Sequence, residues 1–147
     1  MNSGKAVVID TNILFSCLLK TSSPFSHLIL GNSHSFYICE SVIVELFRHK
    51  ERIKNLSRLE ETDIIRLYYT LLRSLNIYKE VLIDSSVRTK AWELCKDIDP
   101  ADTPHVALTM HLKGLLWTGD EKLKKGLRSK GFESFFEIET GSRAENK

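Results

Sequence analysis

Apolar residues along the chain alternate between short continuous runs and longer stretches with three- and four-residue spacing, the pattern of strands separated by helices. Residues 6–9 read as a buried strand that stops at Asp10, and residues 12–20 as a helix broken by Thr21-Ser22-Ser23-Pro24. Pro24 suits a first helical turn, so residues 24–30 are expected to form a second short helix closed by Gly31-Asn32. A strand is expected at 36–39, then a helix over 42–50 capped by Ser41. Ser57-Arg58-Leu59-Glu60 has the capping-box form. The helix after it sets Ile64, Ile65, Tyr68, Leu71, Leu72 and Leu75 on one face. A weaker strand at 77–82 and a helix over 85–97 follow. Asp99-Pro100-Ala101-Asp102-Thr103-Pro104 reads as a turn into a helix over 103–113 that Gly114 ends, with Val106, Ala107 and Met110 facing inward. Residues 115–118 are the clearest later strand, followed by Gly119-Asp120, a basic helix over 121–130 stopped by Gly131, and an edge strand at 135–138. Short strands between helices predict a parallel sheet with helices on both faces. One α/β domain is expected over 1–140, and the polar residues 141–147 are expected to be a disordered tail.

Composition changes that picture little. A length of 147 residues suits one domain, and 42% hydrophobic residues can fill a core. Lys and Arg number 21 against 19 Asp and Glu, a net charge of +2 that neither demands nor excludes a nucleic-acid partner. The three cysteines (Cys17, Cys39, Cys95) are odd in number and widely spaced among apolar neighbours, which predicts reduced core thiols. The first apolar run is too short for a signal peptide, and none approaches the roughly 20 residues that cross a bilayer. A soluble cytoplasmic protein without membrane contacts is expected.

The candidate chemistry lies in four acids. Asp10 and Asp120 directly follow apolar strands, so both should emerge at one sheet edge, where open α/β sheets bind ligands. Glu45 falls early in the helix after the second strand, and Asp102 at the start of the helix from Thr103. Carboxylates gathered there repel, and a hard divalent cation resolves the conflict; oxygen-only ligation favours Mg²⁺ or Mn²⁺ over zinc. Such a site suits phosphodiester hydrolysis by activated water. Each acid also has a local explanation. Asp10, Asp102 and Asp120 could cap the helices that follow them, and Glu45 could pair with Arg48 or His49.

Taken in order, these segments resemble PIN domains, including the VapC-like toxin ribonucleases of type II toxin–antitoxin pairs. Val-Val-Ile-Asp-Thr-Asn (7–12) is similar to the family's opening strand and first metal acid, Asp10. Ser41-Val42-Ile43-Val44-Glu45-Leu46 is similar to its Glu-bearing helix. Asp99-Pro100-Ala101-Asp102 with His105-Val106-Ala107-Leu108 resembles its third acidic motif, and Trp117-Thr118-Gly119-Asp120-Glu121-Lys122-Leu123 its closing Thr-Gly-Asp motif. The match spans residues 6–130, with Thr109 where the family usually has alanine. The resemblance implies a three-layer α/β/α sandwich around a mainly parallel sheet, and Mg²⁺- or Mn²⁺-dependent endoribonuclease activity. It makes Asp10, Glu45, Asp102 and Asp120 the catalytic acids, with Asp10, Asp102 and Asp120 on the metal. Thr118 would orient a carboxylate or water, or be an ordinary strand threonine; Asn12 would bond Asp10 or merely start a helix. Asp99 would join the metal shell, although a turn residue before Pro100 is the simpler reading.

Two basic runs adjoin the proposed acids: Arg48, Lys50, Arg52, Lys54 and Arg58 after Glu45, and Lys122, Lys124, Lys125, Arg128 and Lys130 after Asp120. Arg48, Lys50, Lys122, Lys124 and Lys125 are candidate RNA contacts, against the alternative of solvated faces. The resemblance further implies a small antitoxin and a second copy of the chain as partners. Two other readings stay open. An aspartyl phosphotransferase also ends its first strand on an Asp, but Asn12 stands where such sites place a second Asp. A non-catalytic RNA-binding PIN-like module would usually have lost the metal acids, and all four are present; a housekeeping RNA-processing protein would keep them.

Overall fold

The computed structural model describes residues 4–19, 29, 31, 34–57 and 59–138. The helix expected over 24–30 and the tail at 141–147 lie outside these, apart from Ile29, which is buried in the core. Four strands, β1 (Ala6–Ile9), β2 (Ser35–Cys39), β3 (Asn76–Tyr78) and β4 (Leu115–Trp117), form a parallel sheet in the order β3-β2-β1-β4. Val7, Val8 and Ile9 are fully buried and all of β4 is buried, as expected for inner strands covered on both faces. Helices on both sides give three layers. Helix α1 (Thr11–Leu19) packs against α2 (Glu40–Arg48), α3 (Lys50–Ser57) and α4 (Glu61–Arg73). Helix α5 (Ser85–Cys95) packs on α6 (Thr103–Leu112), which lies across β1, β2 and β4, and α7 (Glu121–Ser129) follows β4.

The element types follow the hydrophobic pattern closely, and the departures have local causes. Ser41 does not cap α2: the helix starts at Glu40, with Cys39 at the cap position. The Ser41 N–H instead donates to Glu80 Oε1, 3.1 Å away, so a distant carboxylate serves that helix end. The Ser57–Glu60 capping box does not form. Ser57 ends α3, an unexpected polar helix with Ile53 as its buried residue, and Glu60 sits at the start of α4 without a side-chain bond. Ile65 is 54% exposed, on the outer side of α4, whereas Ile64 and Leu71 are buried. The strand expected at 77–82 divides into β3 and a 3₁₀ turn at Glu80–Leu82. The edge strand at 135–138 shrinks to a parallel bridge between Phe135 and Leu116.

Gly114 follows the end of α6 as expected, its N–H donating to the Thr109 carbonyl at 2.9 Å, and it has a second role. Lys113 adopts the left-handed conformation that closes α6. A Cβ on Gly114 would collide with the Ala6 carbonyl, so glycine is needed there for the close approach of the chain to β1. Gly131, at φ 94°, does turn the chain after α7 as expected. The three cysteines are buried, and none forms a disulfide, as expected.

Candidate active site

Strand order reverses across β1, since β2 and β3 lie on one side of it and β4 on the other. The crevice at the carboxyl ends of β1 and β4 is therefore the topological switch point. Ile9 pairs with Trp117, and the Asp10 N–H donates to the Trp117 carbonyl at 3.2 Å. Asp10 and Thr118 thus leave the sheet at the same level. Asp10 is only 4% exposed, and its Oδ1 accepts from the Ile13 N–H at 2.9 Å. Asp120 caps α7, accepting from Leu123 N–H at 3.0 Å, while its own N–H donates to the buried Thr118 hydroxyl. Both acids therefore serve as local caps and still border the cleft. The two roles coexist because a capping carboxylate spends one oxygen on the backbone and keeps a second.

The cleft encloses about 530 Å³, and Asp10, Glu45, Asp99, Asp102 and Asp120 all line it. Carboxylate oxygens of Asp99, Asp102 and Asp120 lie within 4.8 Å of one another. Asp99 accepts from the Ala101 N–H and so holds the 3₁₀ turn Pro100–Asp102, the turn role expected of it, yet it also belongs to this cluster. Asp102 occupies the position before α6 but makes no capping bond. Its carboxyl is pushed up to about 7, first by burial and then by the charges of Asp99, Asp10 and Asp120. A cation would remove that repulsion, and an all-oxygen set of this kind fits a hard divalent ion such as Mg²⁺ or Mn²⁺. Glu45 stands apart from the cluster. It is 38% exposed at its side chain and pairs with Arg48 at 3.0 Å and His49 at 3.4 Å.

Among the supporting residues, Thr118 holds the Asp120 backbone, whereas Asn12 is exposed on the cleft wall with no hydrogen bond to Asp10. The cysteines offer no nucleophile. Burial drives the Cys39 thiol well above its usual range, with Glu80 and Glu40 adding to the effect, and the thiol donates to the Pro104 carbonyl. Burial likewise lifts Cys95 to about 11.

The basic runs are largely engaged inside the protein. Lys124 is 7% exposed and reaches Glu137 at 3.1 Å, which withdraws it from any substrate groove; the Leu123, Lys124, Leu127 stripe of α7 faces the core. Arg128 pairs with Glu137 and lies over the Phe135 ring, and Lys130 binds the carbonyls of Glu93 and Leu94. Lys50 pairs with Glu61. Lys122 and Lys125 stay exposed, and the exposed Arg52 lines the cleft. Lys124→Ala is accordingly expected to destabilise the fold by roughly 1–3 kcal/mol, as loss of a packed, paired side chain does. Urea unfolding and RNA binding measured together test this; unchanged stability with weaker binding would return Lys124 to the groove.

Two further residues line the cleft: Glu80, which carried no signal in the chain, and His105, which stood out only as part of the third acidic motif. Glu80 follows the short β3 and faces the start of α2. His105 is buried at the cleft wall, with Nδ1 enclosed and unpartnered. Burial holds its imidazole below the usual range, against the opposing pull of Asp10 and Glu80.

Comparison with known proteins bears on this arrangement. The PIN domain family matches residues 8–139. In structure the chain is similar to VapBC2 from Rickettsia felis, crystallised bound to a DNA fragment from its promoter. The TM-score is 0.58 at 17% identity, over 82% of this chain and 92% of that one. It is also similar to PAE2754 from Pyrobaculum aerophilum, with a TM-score of 0.59 at 12% identity, over 86% of both chains. No curated protein matches it in sequence. At such identities the two structures show a shared fold.

Proposed function

The chain belongs to the PIN-domain family, and on that premise we propose that it is a metal-dependent endoribonuclease, the toxin of a type II toxin–antitoxin pair. One observation carries the reading: three carboxylates, Asp99, Asp102 and Asp120, meet at the switch point of the sheet, with Asp10 in the same cleft. Asp10, Asp102 and Asp120 would hold Mg²⁺ or Mn²⁺, and Asp99 joins them by its position. The bound ion would supply Lewis acidity and make a water nucleophilic near neutral pH. The protein's own part is to fix the carboxylates. The caps of α1 and α7 lock Asp10 and Asp120, and the 3₁₀ turn locks Asp99. Glu45 also lines the cleft and would act on the substrate side of the metal, with Arg48 and His49 paired to its carboxylate. Arg52, Lys122 and Lys125 would offset phosphate charge.

The antitoxin reading is supported by the likeness to VapBC2. No helix among the described residues is long and apolar enough to cross a membrane. The test is cleavage of single-stranded RNA by purified protein. Cutting should require Mg²⁺ or Mn²⁺, stop in EDTA and resume when metal is restored. RNA binding that survives EDTA, with no cutting under any metal tried, would favour the non-catalytic reading instead. Toxicity on expression, relieved by co-expressing a small protein encoded beside the gene, tests the toxin assignment.

A further inference from the structure

One buried group in the cleft is left unused by the carboxylate chemistry. His105 lies on α6, three residues after Asp102, and is 6% exposed. It lines the cleft with Asp10, Ser41 and Glu80. Its backbone carbonyl is satisfied by the Thr109 hydroxyl at 2.8 Å, but its Nδ1 is fully enclosed with no partner. Buried polar atoms are normally paired, and an exception calls for a physical reason.

The orphaned nitrogen restricts the tautomer. A neutral imidazole carries one N–H. On Nδ1 that proton would be an enclosed donor without an acceptor, the rarer and more costly kind of orphan. The proton therefore belongs on Nε2, the nitrogen left to meet the cleft. The same reasoning weighs against Nε2 as a metal ligand. A ligating Nε2 needs its proton on Nδ1, and ligating histidines almost always give that N–H an acceptor. His105 has none.

We propose that His105 presents Nε2–H as a fixed, neutral hydrogen-bond donor to a phosphate oxygen of the nucleic-acid strand lying in the cleft. This rests on the nuclease reading and adds a substrate contact to it. The adjoining wall carries Glu80, which repels a phosphate, so an N–H beside it adds a donor next to that carboxylate. Because the donor is uncharged and held in a helix, it selects position and not merely charge.

The experiment uses the full chain with Mn²⁺. His105→Phe keeps the ring's shape and removes both nitrogens. It should melt no lower than the parent, because the orphan disappears with the ring nitrogens, yet its kcat/KM on single-stranded RNA should fall about 10- to 100-fold, the scale of a hydrogen bond to a charged group. Mn²⁺ affinity, read by electron paramagnetic resonance, should not change. His105→Gln, whose amide nitrogen reaches the Nε2 position, should recover most of the loss, and His105→Asn, reaching only the enclosed Nδ1 position, should not. In ¹⁵N-histidine spectra the proton should sit on Nε2, and its resonance should move on adding a fully 2′-O-methylated RNA to protein already saturated with Mg²⁺. A proton on Nδ1, or a His105→Phe variant as active as the parent, overturns the proposal. Mn²⁺ affinity falling together with turnover would make His105 a metal ligand and also overturn it. A parent that neither cuts nor binds RNA removes the nuclease reading itself, and this contact with it.

Discussion

Asp102→Asn and Asp120→Asn are each expected to reduce metal-dependent RNA cleavage by at least about 10²- to 10³-fold, the scale of losing one preorganised electrostatic group in an active site. The substitution is informative because it keeps shape and caps. Asparagine is as good an N-cap as aspartate, so the Leu123 N–H keeps its acceptor in Asp120→Asn. Asp102 makes no capping bond at all, so its replacement disturbs no helix end. What both variants lose is negative charge at the point where the carboxylates meet. Asp10→Asn should behave alike, with Ile13 N–H still satisfied. Glu45→Gln should cost less, because that carboxylate is partly exposed, shared with Arg48 and His49, and outside the cluster of three. Rates measured on one RNA at saturating Mn²⁺, beside circular dichroism of each variant, decide the matter. Folded Asp102→Asn and Asp120→Asn proteins that cut like the parent would sink the assignment and point to a contaminating nuclease.

The acids that could be read from the chain were those tied to strand endings. Asp10 and Asp120 end apolar runs, and in a parallel sheet a strand end is also a place in space. Asp99 was harder to place, because a turn before Pro100 explains it fully from local sequence. The fold shows that turn and cluster are the same geometry, the 3₁₀ segment Pro100–Asp102 carrying both acids. The basic helix misleads for a related reason. A run of Lys and Arg looks like one charged surface, but the helical period turns Lys124 inward, and its partner Glu137 comes from beyond the following turn. The Leu123–Lys124–Leu127 spacing was the signal available. Helix α3 has no periodic signature in the chain, since Ile53 is its one buried residue among polar neighbours. Glu80 had no readable signal, and His105 had only its place in the third acidic motif. Their place depends on β3 lying beside β2 and on α6 crossing the sheet, contacts between segments far apart in sequence.

The carboxylate cluster should also be visible in stability, with a sign opposite to that of a salt-bridged acid. Asp102 titrates at about 7 in the folded, metal-free protein and near 3.9 in an unfolded chain. Between these values the folded state binds the extra proton, so stability falls as pH rises from about 4 to about 7 and the contribution is flat outside that window. Other groups titrate as well, so the useful quantity is the parent compared with Asp102→Asn. In EDTA the variant should gain on the parent through that window and be the more stable protein above pH 7. The carboxyl keeps some solvent contact, so screening leaves roughly 1–2 kcal/mol of the effect, about 2–8 °C in Tm for a domain of this size. Adding Mn²⁺ at pH 7.5 should reverse the order, since binding to the folded parent raises its Tm and the variant lacks one of the charges that hold the ion. Melting curves at half-unit steps of pH, with and without metal, read both effects. A difference that does not depend on pH, or one that grows towards acid, would mean that Asp102 is not the group on which the repulsion falls. Equal Mn²⁺ stabilisation of parent and variant would separate the cluster from metal binding altogether.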